Sequence, residues 1–225
     1  MFDSPQSQQR IGRTAWVSAW GALVLGQLHA MARHQTADGK ADLTSGLAHV
    51  WSDPGRRVFR PLLNWASPDT VYLTYGKLWL TVFVAFTLAA FVVHRRRQPQ
   101  GFEKWAWRIS LVGYVGACLS DVAEYWTQWG AINDGLLDVV FLATMPFLLL
   151  MMVGSTLLGI AWLRGGLRLP AVLLLLALPG LVLIPVVTSL GNVVLPIAFA
   201  FGILGRRVAR ERLQVTQSAR EALAA

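Results

Sequence analysis

The sequence contains a single cysteine, Cys118, among 225 residues, and few charged residues for its length. One thiol cannot form a disulfide within the chain, and it excludes a metal site built from several cysteines. Charged residues make up 14% of the chain, hydrophobic residues make up 55%, and the mean hydropathy is +0.49. This composition excludes an ordinary water-soluble domain and indicates that the lipid bilayer is the chain's solvent.

Two familiar catalytic motifs are also missing. The sequence has neither a G-x-S-x-G nucleophile elbow nor a glycine-rich phosphate-binding loop. A net charge of +8 does not predict nucleic-acid binding here, because the basic residues lie in short segments between apolar stretches. We therefore expect the lipid bilayer to be a partner of the chain, and we expect no binding of nucleic acid.

The long apolar stretches predict an all-α fold, a multi-pass membrane bundle that occupies residues 1–225 as one membrane domain. A spanning helix needs about 20 predominantly apolar residues, and about six stretches approach that length. The predicted helices cover residues 14–32, 71–93, 105–128, 135–163, 170–188 and 190–205. Because the last is short for a span, a re-entrant hairpin formed by the final two segments is the alternative.

The basic residues predict the orientation of these helices. Arginines occur in the link at 94–104, in the link after residue 163, which contains Arg168, and in the tail after residue 205. Residues 127–134 and 189–192 contain no lysine or arginine. Positively charged loops remain on the cytoplasmic side of a membrane. Both termini are therefore predicted to be cytoplasmic, in a cell membrane of the bacterial inner-membrane type.

The segment at 33–70 is then predicted to lie outside. It mixes apolar side chains with arginines, and Pro54, Pro61 and Pro68 divide it into short pieces. Such a pattern favours one or two brief helices on the membrane surface rather than a folded extracellular domain.

Five aspartate, glutamate, lysine and histidine residues lie in the outer-leaflet halves of the predicted membrane helices: His29, Lys77, Asp121, Glu124 and Asp138. Charged groups inside a membrane are costly, and they usually face a partner, a cavity or the bundle interior. Steps of three and four residues place Asp121 and Glu124 on the same helical face. The five residues are therefore predicted to form one cluster, in which the simplest interaction is an ion pair of Lys77 with Asp121 or Glu124.

Three functional hypotheses remain open for this cluster. The leading one is an outward-facing pocket that binds or transports an ion or a small polar ligand, without catalysis and without a required cofactor. The second is a metal-dependent hydrolase, in which His29, Asp121 and Glu124 would hold Zn²⁺. The third is a non-catalytic subunit, whose polar patch meets a membrane partner or a second copy of the chain.

Overall fold

A computed structural model describes residues 4–42, 46–163 and 165–224, and within these ranges the chain forms helices and no strand. Residues 43–45 of the predicted outer segment lie outside the described residues. The helices, in chain order, are α1 (Pro5–Arg33), α2 (Gly39–Asp42), α3 (Gly46–Val58), α4 (Arg60–Leu63), α5 (Pro68–Arg97), α6 (Gly101–Asp121), α7 (Asp134–Leu163), α8 (Arg168–Leu175), α9 (Ala177–Val187) and α10 (Leu195–Ala224). The all-helical fold predicted from the sequence is confirmed.

The two long helices near the beginning of the chain start with the same local signal. Ser4 and Ser67 each accept a hydrogen bond from the backbone N–H three residues later, at 3.1 and 3.3 Å, and a proline occupies the first position of each helix. A serine cap satisfies an exposed N–H, and proline loses nothing at that position because its missing N–H would have had no helical partner. These signals place the start of α1 at Pro5, nine residues earlier than hydropathy predicts.

Two helices depart from regular α geometry. Residues 122–126 continue α6 as a π-helical turn, and residues 190–194 form a 3₁₀ turn that leads into α10. The predicted helix at 170–188 is broken into α8 and α9, whose axes differ by 59°. Pro179 explains the break, because its ring would clash with the carbonyl of Leu175, where α8 ends.

Three helical segments are long and apolar enough to cross a membrane, namely Pro68–Arg97, Gly135–Leu163 and Leu190–Glu211. The bent pair of α8 and α9 passes the same test when it is taken as one unit. Along α7 and α9, large apolar side chains such as Leu142 and Val182 are 76% and 70% exposed. Exposed apolar surface of this extent fits contact with lipid better than contact with water.

Glycines allow two helix pairs to pack closely. A Cβ atom at Gly12 of α1 would lie 2.2 Å from the carbonyl oxygen of Gly205 in α10, and one at Gly113 of α6 would lie 2.3 Å from the backbone nitrogen of Met151 in α7. Small residues permit backbones to approach in this way, which matters most where no hydrophobic effect drives helices together.

Contacts at the two ends of the bundle show that its long helices alternate in direction. At one end Arg96 donates to Gln8 at 3.1 Å, and Glu103 accepts from Arg97 at 2.6 Å and from Trp162 at 3.0 Å. These contacts join the beginning of α1, the end of α5, the beginning of α6 and the end of α7.

The outer segment lies at the opposite end. Tyr75 of α5 donates to the carbonyl of Leu62 at 2.7 Å, and Trp51 of α3 donates to the carbonyl of Val187 at the end of α9. The described residues of this segment form three helices instead of the predicted one or two, and α3 continues through Pro54 for 13 residues.

Candidate functional site

A cavity of about 690 Å³ opens between α1, α5, α6, α7 and the chain that connects α9 to α10. Along α7 its lining runs from Leu137 to Met151, a distance of about 21 Å at 1.5 Å per residue. Its ionisable and small polar lining residues are His29, Arg33, His34, Ser120, Asp121, Glu124, Asp138, Thr144, Thr188 and Ser189. The structure thus brings four of the five predicted cluster residues to one cavity.

His29 lies at the wall of the cavity inside a group of aromatic rings. Its imidazole stacks on Tyr72 with ring centroids 4.7 Å apart, and it meets the edges of Tyr125 at 5.6 Å and Trp79 at 6.4 Å. The residue is 3% exposed, and within the described part of the chain neither ring nitrogen has a hydrogen-bond partner. Buried polar atoms are rarely left this way, because each costs free energy when it loses water.

Asp121 faces the same space from α6. It is 3% exposed, and neither carboxylate oxygen has a hydrogen-bond partner among the residues described. The π-helical turn begins directly after it and carries Glu124. Insertions of this kind re-aim side chains and are frequent at functional sites. Two carboxylates therefore reach the cavity from adjacent turns.

Arg33 and Tyr72 complete the polar wall. The guanidinium of Arg33 lies 5.6 Å from the centroid of the Tyr72 ring, and it interacts electrostatically with His29 and Glu124. The hydroxyls of Tyr72 and Tyr125 are 3.1 Å apart. Arg33 interacts with Glu124, whereas neither oxygen of the buried Asp121 carboxylate has a hydrogen-bond partner among the described residues.

The fifth residue of the predicted cluster, Lys77, lies outside the cavity. Its Nζ donates to the carbonyl of Gln128 at 2.8 Å and sits 3.3 Å from the centroid of the Trp129 ring. A lysine side chain can lie along an apolar surface and carry its charge toward the membrane boundary, and Lys77 does so here. The predicted ion pair with Asp121 or Glu124 is not found among the described residues, and Lys77 does not line the cavity.

The cavity ends on a packed aromatic layer. Phe86 and Tyr114 lie about one helical turn farther from the outer segment than the lining residues Phe83 and Ala117, and their ring centroids are 5.4 Å apart. The ring of Phe201 in α10 lies 5.5 Å from that of Tyr114. All three rings are almost completely buried. We call Phe86, Tyr114 and Phe201 the aromatic floor, and it separates the cavity from the opposite end of the bundle.

No three histidine, cysteine, aspartate or glutamate side chains among the described residues come close enough together to hold a metal ion. The donor set that a zinc site would require, His29, Asp121 and Glu124, is therefore not assembled. All three line the cavity, but they do not form a coordination group.

Three contributions to the cavity were missing from the predicted cluster. Arg33 contributes a guanidinium to the lining, and Trp79 contributes an indole N–H that has no partner among the described residues. The apolar wall comes from α7, with Leu137, Phe141 and Leu148 on one face. Their spacing of four and seven residues is helical, but in a helix that is apolar on all sides it does not distinguish a cavity face from a lipid face.

Comparison of the chain with protein-family models, with curated proteins and with solved structures found no match. The residues that line the cavity, and the contacts between them, are therefore the basis for a functional proposal.

Proposed function

We propose that this chain is a six-span membrane protein with cytoplasmic termini, and that it binds a small ligand with a polar group from the outer side of the membrane. The observation that carries the proposal is the pair of buried, unpartnered side chains, His29 and Asp121, in the lining of one cavity. A cavity of about 690 Å³ lies within the range of about 300–1,000 Å³ that small-molecule sites occupy.

Energetics supports a ligand in this place. A buried polar group that lacks a hydrogen bond destabilises a protein by about 1–3 kcal/mol. His29 and Asp121 are such groups within the described chain, and both residues line the cavity. A ligand that supplies a donor to Asp121 and a partner to His29 would offset this cost on binding.

Six spans are supported by the contacts at the bundle ends. Two of the long helices, α1 and α6, are less apolar than α5 and α7, and they carry His29 and Asp121. At one end of the bundle, the beginning of α1 accepts a hydrogen bond from Arg96 through Gln8, and the beginning of α6 accepts one from Arg97 through Glu103. That end matches the cytoplasmic side by the distribution of positive charge.

The aromatic floor favours a binding site or a gated carrier over an open channel. A permanent aqueous pore requires polar or wet surface through the whole membrane. Below the cavity the described side chains are instead tightly packed rings, including Phe86 and Phe201. Transport would therefore require this layer to rearrange, whereas binding alone would not.

Cysteine labelling in intact cells tests the proposal. In a Cys118→Ser background, Thr144→Cys would place a thiol on the cavity wall, and Leu142→Cys would place one on the lipid-facing side of the same helix, where Leu142 is 76% exposed. Thiol reagents act on the thiolate, which requires water. A membrane-impermeant methanethiosulfonate should therefore modify Thr144→Cys and leave Leu142→Cys unmodified.

A third variant checks the orientation. Gln100→Cys, in the exposed link between α5 and α6, should be modified only after the cells are permeabilised. Modification of Gln100→Cys in intact cells would overturn the orientation. A Thr144→Cys protein that folds and resists the reagent would overturn the outward-facing cavity.

A further inference from the structure

We infer that the ligand is an organic cation, an amine or quaternary ammonium that carries an apolar group. This inference rests on the proposed function and specifies the ligand of the same cavity. Three features of the described lining carry it: the balance of charge, the aromatic rings, and the large apolar part of the wall.

The charge balance favours a cation. The cavity lining contains three carboxylates, on Asp121, Glu124 and Asp138, and one guanidinium, on Arg33. Arg33 interacts electrostatically with Glu124, and Asp138 is exposed at the rim, where water can solvate it. Asp121 is the buried carboxylate for which the described chain supplies no hydrogen-bond donor. An ammonium group in the cavity would supply the countercharge, and a protonated amine would also supply the donor.

Aromatic rings line the same cavity. Tyr72, Tyr125 and Trp79 lie within 6.4 Å of the His29 ring, measured between centroids. The faces of tyrosine and tryptophan rings attract cations, and sites that recognise quaternary ammonium groups use rings of this kind. Gly191 keeps the space beside His29 free, since a Cβ atom there would lie 3.1 Å from Nδ1.

The remaining wall requires an organic group. From α7 the residues Leu137, Phe141, Met145 and Leu148 line the cavity, and α5 adds Phe83. A hydrated inorganic cation would leave this surface without contacts, whereas an alkyl or aryl group would bury against it. The lining thus combines carboxylates with a large apolar surface in one cavity.

Calorimetric titration of the full-length protein in lipid nanodiscs tests the inference. The cationic probe is benzyltriethylammonium, the anionic probe is benzenesulfonate, and empty nanodiscs correct for partition into lipid. We expect saturable binding of the cation and none of the anion. Binding of the anion as tightly as the cation, or no saturable binding of the cation, would overturn the inference.

Variants locate the binding group. Asp121→Asn should weaken binding of benzyltriethylammonium at least tenfold, and Asp121→Glu should retain it. Asp38→Asn, which removes the same charge from an exposed residue outside the cavity, should bind like the wild type. An Asp121→Asn protein that keeps the wild-type unfolding temperature and the wild-type affinity would overturn the role of this carboxylate.

The labelling experiment separates the two proposals. If Thr144→Cys is modified from outside but benzyltriethylammonium neither binds nor slows the modification, the cavity remains and the cationic ligand is wrong. If Thr144→Cys resists modification in a folded protein, the outward-facing cavity itself is wrong.

Discussion

The close approach of α1 and α10 at Gly12 yields a prediction whose magnitude follows from the structure. In Gly12→Ala the new Cβ atom would lie 2.2 Å from the carbonyl oxygen of Gly205, whereas ordinary contact begins near 3.4 Å. The obstructing atom belongs to the backbone, so a side-chain rotation cannot relieve the clash. The two helices must separate, and overpacking of this kind costs about 1–3 kcal/mol.

A matched control corrects for the helix propensity that any Gly→Ala substitution in a helix gains. Gly21 lies on the same helix, and a Cβ atom there would meet no atom within 4 Å. Gly21→Ala should therefore show only the gain in helix propensity, up to about 1 kcal/mol. The difference between the two variants isolates the steric cost, which we expect to be about 1–3 kcal/mol.

The assay is reversible unfolding of the purified protein in mixed micelles, followed by circular dichroism. Gly205→Ala provides a graded third variant, because its Cβ atom would lie 2.9 Å from the Cα of Gly12. We expect the free energy of unfolding to decrease in the order Gly21→Ala, Gly205→Ala, Gly12→Ala. The reasoning is refuted if Gly12→Ala is as stable as Gly21→Ala.

Three further predictions concern residues away from this contact. Phe201→Ala should lower the free energy of unfolding by about 3–5 kcal/mol, because a fully buried ring of the aromatic floor is lost; an unchanged denaturation midpoint would contradict the packing. Burial raises the pKa of Glu103, but the hydrogen bonds from Arg97 and two indoles more than offset this, so its pKa lies below the ordinary 4.5. The stabilisation that Glu103 contributes is therefore present above pH 4.5 and lost as the pH falls through the lower folded-state pKa. The free energies of unfolding of wild type and Glu103→Gln, measured by denaturation across this range, should therefore become more similar as the pH falls. In a double-mutant cycle, Lys77→Met and Trp129→Ala should show a coupling free energy of about 0.5–1 kcal/mol. The effects of Lys77→Met and Asp121→Asn on the free energy of unfolding should be additive, and a coupling between these two would instead support the ion pair predicted from sequence.

The long helices could be predicted from hydropathy because an apolar stretch of sufficient length has few alternatives in a membrane. Pro179 makes a kink near Leu176 expected, but the extent of the break could not be predicted, because many membrane helices tolerate proline without breaking. The π-helical turn at 122–126 has no signal in the sequence, since it depends on how α6 packs against its neighbours.

Depth along each helix predicted which ionisable residues share the outer half of the bundle, and His29, Asp121, Glu124 and Asp138 do line one cavity. The depth of a residue does not determine where a long, flexible side chain extends. Lys77 was predicted at a similar depth, but its side chain extends to the carbonyl of Gln128. The aromatic partners of His29 come from α5 and from the π-helical turn after α6, and only the tertiary packing shows that they meet.

The position of the cavity mouth has a consequence for how affinity should be measured. Asp138 and Phe141 line the cavity and are also exposed on α7, and Phe141 lies nearly one turn deeper than Asp138. In the proposed orientation the mouth extends beside the hydrocarbon, and the bilayer would act as a reservoir for amphiphilic ligands. Each added methylene should enrich a ligand there about fourfold, since burial of one CH₂ is worth about 0.8 kcal/mol. Affinities referred to the aqueous concentration should thus continue to rise with tail length after the cavity itself is filled.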